Sequence, residues 1–327
     1  MSSPTDEEVH RYIQEIVRGN KGVRKRLEKD VRAMCAMLST LVEDVYKKAA
    51  KERDLAQRLR RSFKDIYGSL KLHLKFHLGD AAEITELNRL GQEIGLTKEE
   101  QNALPEEKCA IDPGSKILEI VSIILQRKGK GTRRREKGSE SHANTVMSRA
   151  KVWFSTLEAK NTFKPKVLTH VSHNGKWFVG SSMAVSHFLR PLCLYKRISY
   201  FKQGLKKAVV KFQPIETEDN IHWNSSSFWF KPVGYKTEKR PCQNCMVMFQ
   251  NLSGFLGSRD NLREEGVGET ILAACAEYVP TNQCLPDVAE SDIEAVNVVL
   301  TNFRDKCSLY FEKFPENVSK CDSAYES

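Results

Sequence analysis

The protein has 327 residues, of which 40% are hydrophobic and 29% are charged, and its net charge is +10. This balance excludes a wholly disordered chain, and at about 150 residues per domain it suggests two domains. The longest apolar stretch, residues 117–125, contains Glu119 and Ser122 and falls far short of the roughly 20 residues that cross a bilayer. Because the sequence also shows no secretory signal and has Ser2 in place of a myristoylated glycine, we expect a cytoplasmic or nuclear protein.

The first 126 residues have the apolar spacing of amphipathic helices. A capping-box pattern at Thr5 predicts a helix up to about residue 19, and two long apolar stripes follow over 27–45 and 55–74. A second capping box, from Thr97 to Glu100, and a turn at 112–114 predict two further helices, the second over 115–126. We therefore predict an all-α helical bundle over residues 1–126.

A basic linker is predicted over residues 127–142. Its core, RKGKGTRRREK at 127–137, has seven basic residues, one acidic residue and two glycines, and it includes Arg133, Arg134 and Arg135. Such a segment is a solvated loop, and it suits either a nuclear-localisation signal, an anion-binding patch or a merely solubilising role.

Residues 143–327 are predicted to form an α/β domain with a small mixed sheet, its boundary lying between 143 and 165, so that the protein is α+β overall. After a helix ending near 157, Asn174-Gly175 marks the turn of a β-hairpin. Further strands are predicted at 207–215 and 221–230, and helices at 243–252, 268–278 and 289–313.

Charge is unevenly distributed along the chain. Residues 250–327 hold 6 Lys/Arg against 14 Asp/Glu, and between Glu158 and Glu216 there are eleven Lys/Arg, eight aromatic residues and no acidic residue. This composition suits a groove for RNA or single-stranded DNA, or an anionic phospholipid surface, although the aromatic residues also suit a sheet core with lysines on its wet face. The residues predicted to contact an anion are Lys196, Arg197, Tyr200, Lys202, Lys206 and Lys207, together with the arginines of the linker.

Two short cysteine motifs suggest a metal site. The chain has nine cysteines without regular spacing, which favours reduced thiols. Cys242 and Cys245 form a CxxC after Pro241 at the start of a predicted helix, and Cys275 stands two residues before Glu277. Three thiolates leave a fourth zinc position for water, and a nearby carboxylate is needed to move that water's proton. We predict zinc held by the three cysteines, with Glu277 catalytic.

The PCxxC motif followed by an apolar helix, together with Cys-Ala-Glu, resembles the cytidine deaminase superfamily. That resemblance implies a zinc-dependent deaminase acting on a nucleoside or a nucleic-acid base. Two features depart from the family pattern. The Cys-Ala-Glu motif follows PCxxC instead of preceding it, and the helix predicted over 268–278 places Cys275 late, with Pro280 ending it soon afterwards.

Other interpretations of the same residues stay open. Cys242 and Cys245 suit a buried reduced pair, or a structural zinc site that includes Cys284 or His222. The helices between Leu41 and Ile94 resemble the TIPE family, which implies a bundle with an apolar cavity for phospholipid tails. The alternative function is therefore a non-catalytic adaptor, whose helical bundle binds a protein or lipid partner and whose basic loop binds anions.

Overall fold

A computed structural model describes the protein over residues 21–46, 52–78, 84–102, 110–127, 139–186, 189–216, 223–229, 238–239, 241–252, 273–303 and 305. The helix predicted before residue 20 and the linker arginines Arg133, Arg134 and Arg135 lie outside these residues, as does His222. None of the described helices is long and apolar enough to cross a bilayer.

Helices make up the first half of the described chain. They are α1 (Lys21–Leu41), which continues as a π-helical turn over Val42–Tyr46, α2 (Arg53–Leu78), α3 (Thr85–Glu93), α4 (Lys98–Asn102), α5 (Pro113–Arg127) and α6 (Glu140–Ser155). The two predicted apolar stripes are confirmed, since most of their residues, among them Val31, Leu38, Phe63 and Leu70, are buried. The all-α character predicted for this half is confirmed.

The second capping box is also confirmed, and it begins α4. The backbone N–H of Glu100 donates to Thr97 Oγ1 at 3.1 Å, and the N–H of Thr97 donates to Glu100 Oε2 at 3.1 Å. The two bonds satisfy N–H groups that the first turn of a helix otherwise leaves without a partner.

A four-stranded sheet follows, with strand order β2-β1-β3-β4. Its strands are β1 (Val167–His173), β2 (Lys176–Ser181), β3 (Trp223–Trp229) and β4 (Glu238–Lys239). The predicted hairpin is confirmed: Asn174 and Gly175 have φ of 52° and 70°, the left-handed conformations that a tight hairpin turn requires. Each described pairing is antiparallel, so the α+β class is confirmed whereas the predicted mixed sheet is wrong.

The remaining helices are α7 (Arg190–Ser199), α8 (Gln203–Lys211), α9 (Gln243–Met248) and α10 (Tyr278–Cys284), and residues 293–303 are also helical. The strand predicted at 207–215 is wrong, because this stretch belongs mainly to α8. Leu205, Ala208 and Val209 are buried on one side of α8, and their i, i+3, i+4 spacing outweighs the β propensity of the two adjacent valines.

Two hydrophobic cores lie on opposite faces of the sheet. One contains buried apolar residues between Leu27 and Phe163, most of them helical, together with Leu168 of β1. The other contains Val171 of β1 with residues of α7 to α10. Helices α5 and α6 contact β2 on the first side, and α10 contacts β1 and β2 on the second. Because side chains alternate along a strand, Thr169 of β1 and its partners Gly180 and Ser227 face the second core.

Candidate metal centre

The structure brings the three predicted cysteines together. Cys242 Sγ lies 3.5 Å from Cys245 Sγ and 3.2 Å from Cys275 Sγ, and all three sulfur atoms lie within 4.8 Å of one another. Cys245 and Cys275 are buried and Cys242 is half-buried. The predicted grouping of three thiols that could hold a metal ion is confirmed.

The start of α9 positions the first two thiols. Cys242 is the N-cap, in an extended conformation with φ −74° and ψ 166°, and Cys245 is the third residue of the helix. An extended N-cap directs its side chain back toward the third helical residue, the geometry that a serine N-cap uses to reach a backbone N–H. The CxxC spacing therefore places both sulfurs on the same side of the helix start.

The third thiol stands in a turn just before α10. The helix predicted over 268–278 is wrong in its described part, because residues 273–277 form turns and a helix begins at Tyr278. Pro280 does not end this helix but lies in its first turn, where a backbone N–H has no intrahelical acceptor and proline therefore costs no hydrogen bond. Cys275 and Glu277 thus precede a helix.

A buried network holds this turn in place. The guanidinium of Arg197 donates to the carbonyl oxygens of Ala273 and Ala274, each at 3.3 Å, and to that of Ser181 at 2.9 Å. The backbone N–H of Met183 donates to the Ala274 carbonyl at 2.8 Å. Ala273 has φ of +64°, a left-handed conformation that costs a non-glycine residue about 1 kcal/mol or more. Arg197 therefore ties the strained turn to the end of β2.

Gly180 of β2 allows the same turn to lie directly on the sheet. A Cβ atom at this position would stand 2.5 Å from the Ala276 carbonyl oxygen and 2.5 Å from Pro280 Cδ. A glycine inside a strand commonly marks such a close backbone approach.

Glu277 joins the cysteines to the sheet. Its side chain is buried, Ser227 Oγ donates to its Oε1 at 2.6 Å, and Cys245 Sγ lies 3.8 Å from its Oε2. Ser227 Oγ is also 2.8 Å from Thr169 Oγ1. The hydroxyl groups of β1 and β3 thus fix the carboxyl group beside the sulfur atoms.

The surroundings favour neutral thiols when no cation is present. Burial raises the pKa of Cys245 well above its usual value. The hydrogen bond between Cys275 and Cys242, followed by burial and the nearby Glu277, raises the pKa of Cys275. Burial lowers the pKa of Arg197, and the negative charges of Asp112, Cys275 and Glu277 offset part of this shift. Three thiolates beside a carboxylate would need a compensating cation at this point.

The donor set fits zinc. Thiolate sulfurs are the ligands that zinc prefers in closed protein sites, and tetrahedral geometry with bonds of about 2.3 Å separates two sulfurs by about 3.8 Å. The separations of Cys242 Sγ from the other two sulfurs, 3.2 and 3.5 Å, need to grow by only a few tenths of an ångström. Cys284 is outside this group of three ligands found among the described residues, and burial raises its pKa to about 12.

The predicted anion-binding residues are found in different places. Lys196, Arg197, Tyr200 and Lys202 line one cavity. Lys207 instead forms ion pairs with Glu290 at 3.2 Å and Glu216 at 3.9 Å, and Lys206, also on α8, does not line that cavity. Their contact with an anion stays a prediction.

Gly180, Ser227 and Thr169 were not predicted as parts of this site, nor was the anchoring of the Cys275 turn by Arg197. One signal was available for Gly180, since it is the single glycine within an otherwise ordinary strand sequence. Pairing of Ser227 with Thr169 depends on the register of two strands more than 50 residues apart, which a single sequence does not reveal.

The sequence matches no family model, and comparison with curated proteins and with solved structures likewise finds no match. The resemblance to deaminases therefore depends on the residues of the metal centre alone.

Proposed function

We propose that the protein is a zinc-dependent hydrolase that deaminates a nucleoside or a nucleic-acid base. The observation that carries the proposal is the convergence of Cys242, Cys245 and Cys275 with the buried carboxyl group of Glu277, 3.8 Å from the nearest sulfur. Thiols from two separate segments and a carboxyl group two residues from one of them supply the ligands and the proton carrier that hydrolytic deamination requires.

The three cysteines would hold the ion, which when bound supplies a Lewis acid that activates water for attack on a ring carbon bearing an amino group. Glu277 would accept a proton from the attacking water and deliver it to the departing amine. A carbon–oxygen bond forms, the carbon–nitrogen bond breaks and ammonia leaves. The hydrogen bond from Ser227 holds one carboxyl oxygen, so that the other is directed toward the sulfur atoms.

The position of Glu277 supports a catalytic role over a ligand role. Its Oε2 lies next to Cys245 Sγ, while its Oε1 is taken by Ser227. One departure from the family pattern is also smaller than the sequence indicated, because the Cys275 to Glu277 turn precedes a helix, although that helix has only seven residues. Reversed motif order is compatible with the same site, since ligand geometry and not chain order defines a metal centre.

Metal analysis is the first test. Purified protein analysed by mass spectrometry should carry about one zinc per chain, and Cys242→Ser should lower this value sharply. Cys284→Ser is the matched control, because Cys284 is also half-buried but is not part of the thiol group. The metal site would be rejected if the wild-type protein carried well below one zinc per chain and Cys242→Ser did not change that content.

Ammonia release then separates catalysis from a structural zinc site. Cytidine, adenosine and single-stranded oligonucleotides would be incubated with the zinc-loaded protein and with Glu277→Gln. We expect the variant to keep its zinc and lose ammonia release. Full zinc loading without ammonia from any of these substrates would reject the deaminase and leave a structural site.

A further inference from the structure

A large cleft lies between the helical bundle and the sheet. It has a volume of about 1260 Å³ and is bordered by α2, α5, β2, α7 and α10. Pockets for small molecules usually measure about 300 to 1,000 Å³, so this cleft has room for more than one compact ligand. The three cysteines and Glu277 do not line it, which makes it distinct from the metal centre.

Positive charge predominates among the cleft residues. Seven of them are cationic: Arg58, Lys64, Lys71, Lys116, Lys196, Arg197 and Lys202. Four are acidic: Asp65, Asp112, Glu100 and Glu119.

Each of the four carboxylates is already engaged within the protein. Lys116 contacts both Asp65 and Glu119 at 3.0 Å, and Glu100 forms ion pairs with Arg60 and Lys64. The fourth carboxylate, that of Asp112, accepts hydrogen bonds from two backbone N–H groups and a serine hydroxyl. The cleft thus retains a surplus of positive charge.

Two of the cations have no acidic partner among the described residues. Arg58 and Lys196 form no ion pair with any of them. Lys202 pairs with Asp287 at 3.9 Å, whose side chain is 85% exposed, and its Nζ also donates to the carbonyl oxygen of Leu285. Partners of this kind are worth little in water and are easily replaced. Arg58 and Lys196 are therefore available to an external anion, and Lys202 could exchange its exposed partner for one.

Aromatic surface stands next to the available charge. Tyr200 is 72% exposed, unusual for so large a side chain, and Lys196 Nζ lies 5.8 Å from the centre of its ring. Trp177 also lines the cleft, with its ring stacked on His170 at 5.0 Å. Exposed rings beside lysine and arginine bind single-stranded nucleic acids, because bases stack on the rings and phosphates pair with the cations.

We propose that this cleft binds nucleotides, with a phosphate contacted by Lys196 and a base stacked on Tyr200, while Lys202 and Arg58 supply further positive charge along the cleft. The shared chemistry is an anionic phosphate joined to a flat aromatic ring, present in both free mononucleotides and single strands. The cleft volume favours a short single strand. The proposal depends only on the residues of the cleft and stands whether or not the cysteines hold zinc.

Tryptophan fluorescence of the full chain provides the assay. The protein would be titrated at low salt with oligo(dT), oligo(rU), uridine and adenosine monophosphates, inorganic phosphate, and phosphatidylserine vesicles. We expect saturable binding of an oligonucleotide, or of a mononucleotide, that exceeds binding of inorganic phosphate at least tenfold. Three results would overturn the proposal: binding of vesicles alone, binding of inorganic phosphate as tightly as any nucleotide, or no binding of either mononucleotide or oligonucleotide.

Charge and ring variants locate the site. Lys196→Glu and Tyr200→Ala should each weaken nucleotide binding about tenfold or more, since one stacked base contributes about 1 to 3 kcal/mol. For a single strand, Lys196→Glu should also reduce the slope of log affinity against log salt by about 0.7. Lys166→Glu, the same charge change at an exposed lysine outside the cleft, should change affinity less than twofold. Equal losses in Lys166→Glu and Lys196→Glu would contradict a site in the cleft.

Discussion

Replacing Gly180 with alanine should disturb the candidate metal centre without changing any of its proposed ligands. The added Cβ would lie 2.5 Å from the Ala276 carbonyl oxygen and from Pro280 Cδ, whereas ordinary contacts begin near 3.4 Å. The Cys275 turn and β2 must therefore separate by about 0.9 Å, while zinc–sulfur distances tolerate about 0.2 Å. We expect the free energy of unfolding to fall by about 1 to 3 kcal/mol and zinc affinity to fall about 10- to 100-fold.

The assay for Gly180→Ala is competition for zinc against a chromophoric chelator, combined with urea denaturation. Gly204→Ala is the matched control, because its nearest neighbour is the flexible end of Glu290, at 3.2 Å, and the position lies inside α8. Alanine there should leave zinc affinity unchanged and favour the helix by about 0.5 to 1 kcal/mol. A folded Gly180→Ala protein with wild-type zinc affinity would refute the argument that this contact positions Cys275.

Three further predictions concern single side chains. Arg197→Met should keep the fold but lower zinc affinity at least tenfold in the chelator assay, because the carbonyls around Ala273 lose their donor; unchanged affinity would show that the turn needs no anchor. Ser227→Ala should lower the free energy of unfolding by about 2 kcal/mol in urea, since a buried carboxyl group loses its donor, while zinc stays bound; a loss below 0.5 kcal/mol, on the order of a surface change, would contradict this. Burial lowers the pKa of His73 from 6.5 to about 4, so the unfolded chain binds a proton that the folded one does not, and stability falls as pH falls from about 6.5 toward 4. Urea titrations should show that His73→Leu removes roughly 2 kcal/mol of the decrease in the free energy of unfolding between pH 8 and pH 5. An unaltered pH dependence of stability would exclude His73 as the source of that decrease.

The predictable parts of the molecule are those set by local chemistry. Periodic apolar residues of α1 and α2, the Thr97 capping box and the Asn174-Gly175 turn each act within a few residues, so the sequence alone indicates them. The thiol cluster was predictable for a different reason. Sulfur ligands in a CxxC at a helix start and a third cysteine beside a glutamate form a chemically complete set, whatever the path of the chain between them.

The features that were not predicted depend on packing between residues that are far apart in the sequence. The two adjacent valines of α8 suggested a strand, but burial of Leu205, Ala208 and Val209 against the rest of the protein stabilises a helix instead. In its described part, from Ala273 onward, the helix predicted over 268–278 was wrong, because this turn is held by Arg197 and Met183 from another part of the chain. The predicted domain boundary between 143 and 165 stays a prediction.

The four-stranded sheet that separates the two hydrophobic cores has a consequence for how the protein unfolds. Leu168 and Val171 belong to the same strand yet serve opposite cores, so neither core can lose this strand without exposing the other. We expect one cooperative transition in place of two successive ones. A truncated chain that starts after the helical bundle would present a bare apolar sheet face to water, a surface prone to aggregation, so either half would be difficult to produce separately.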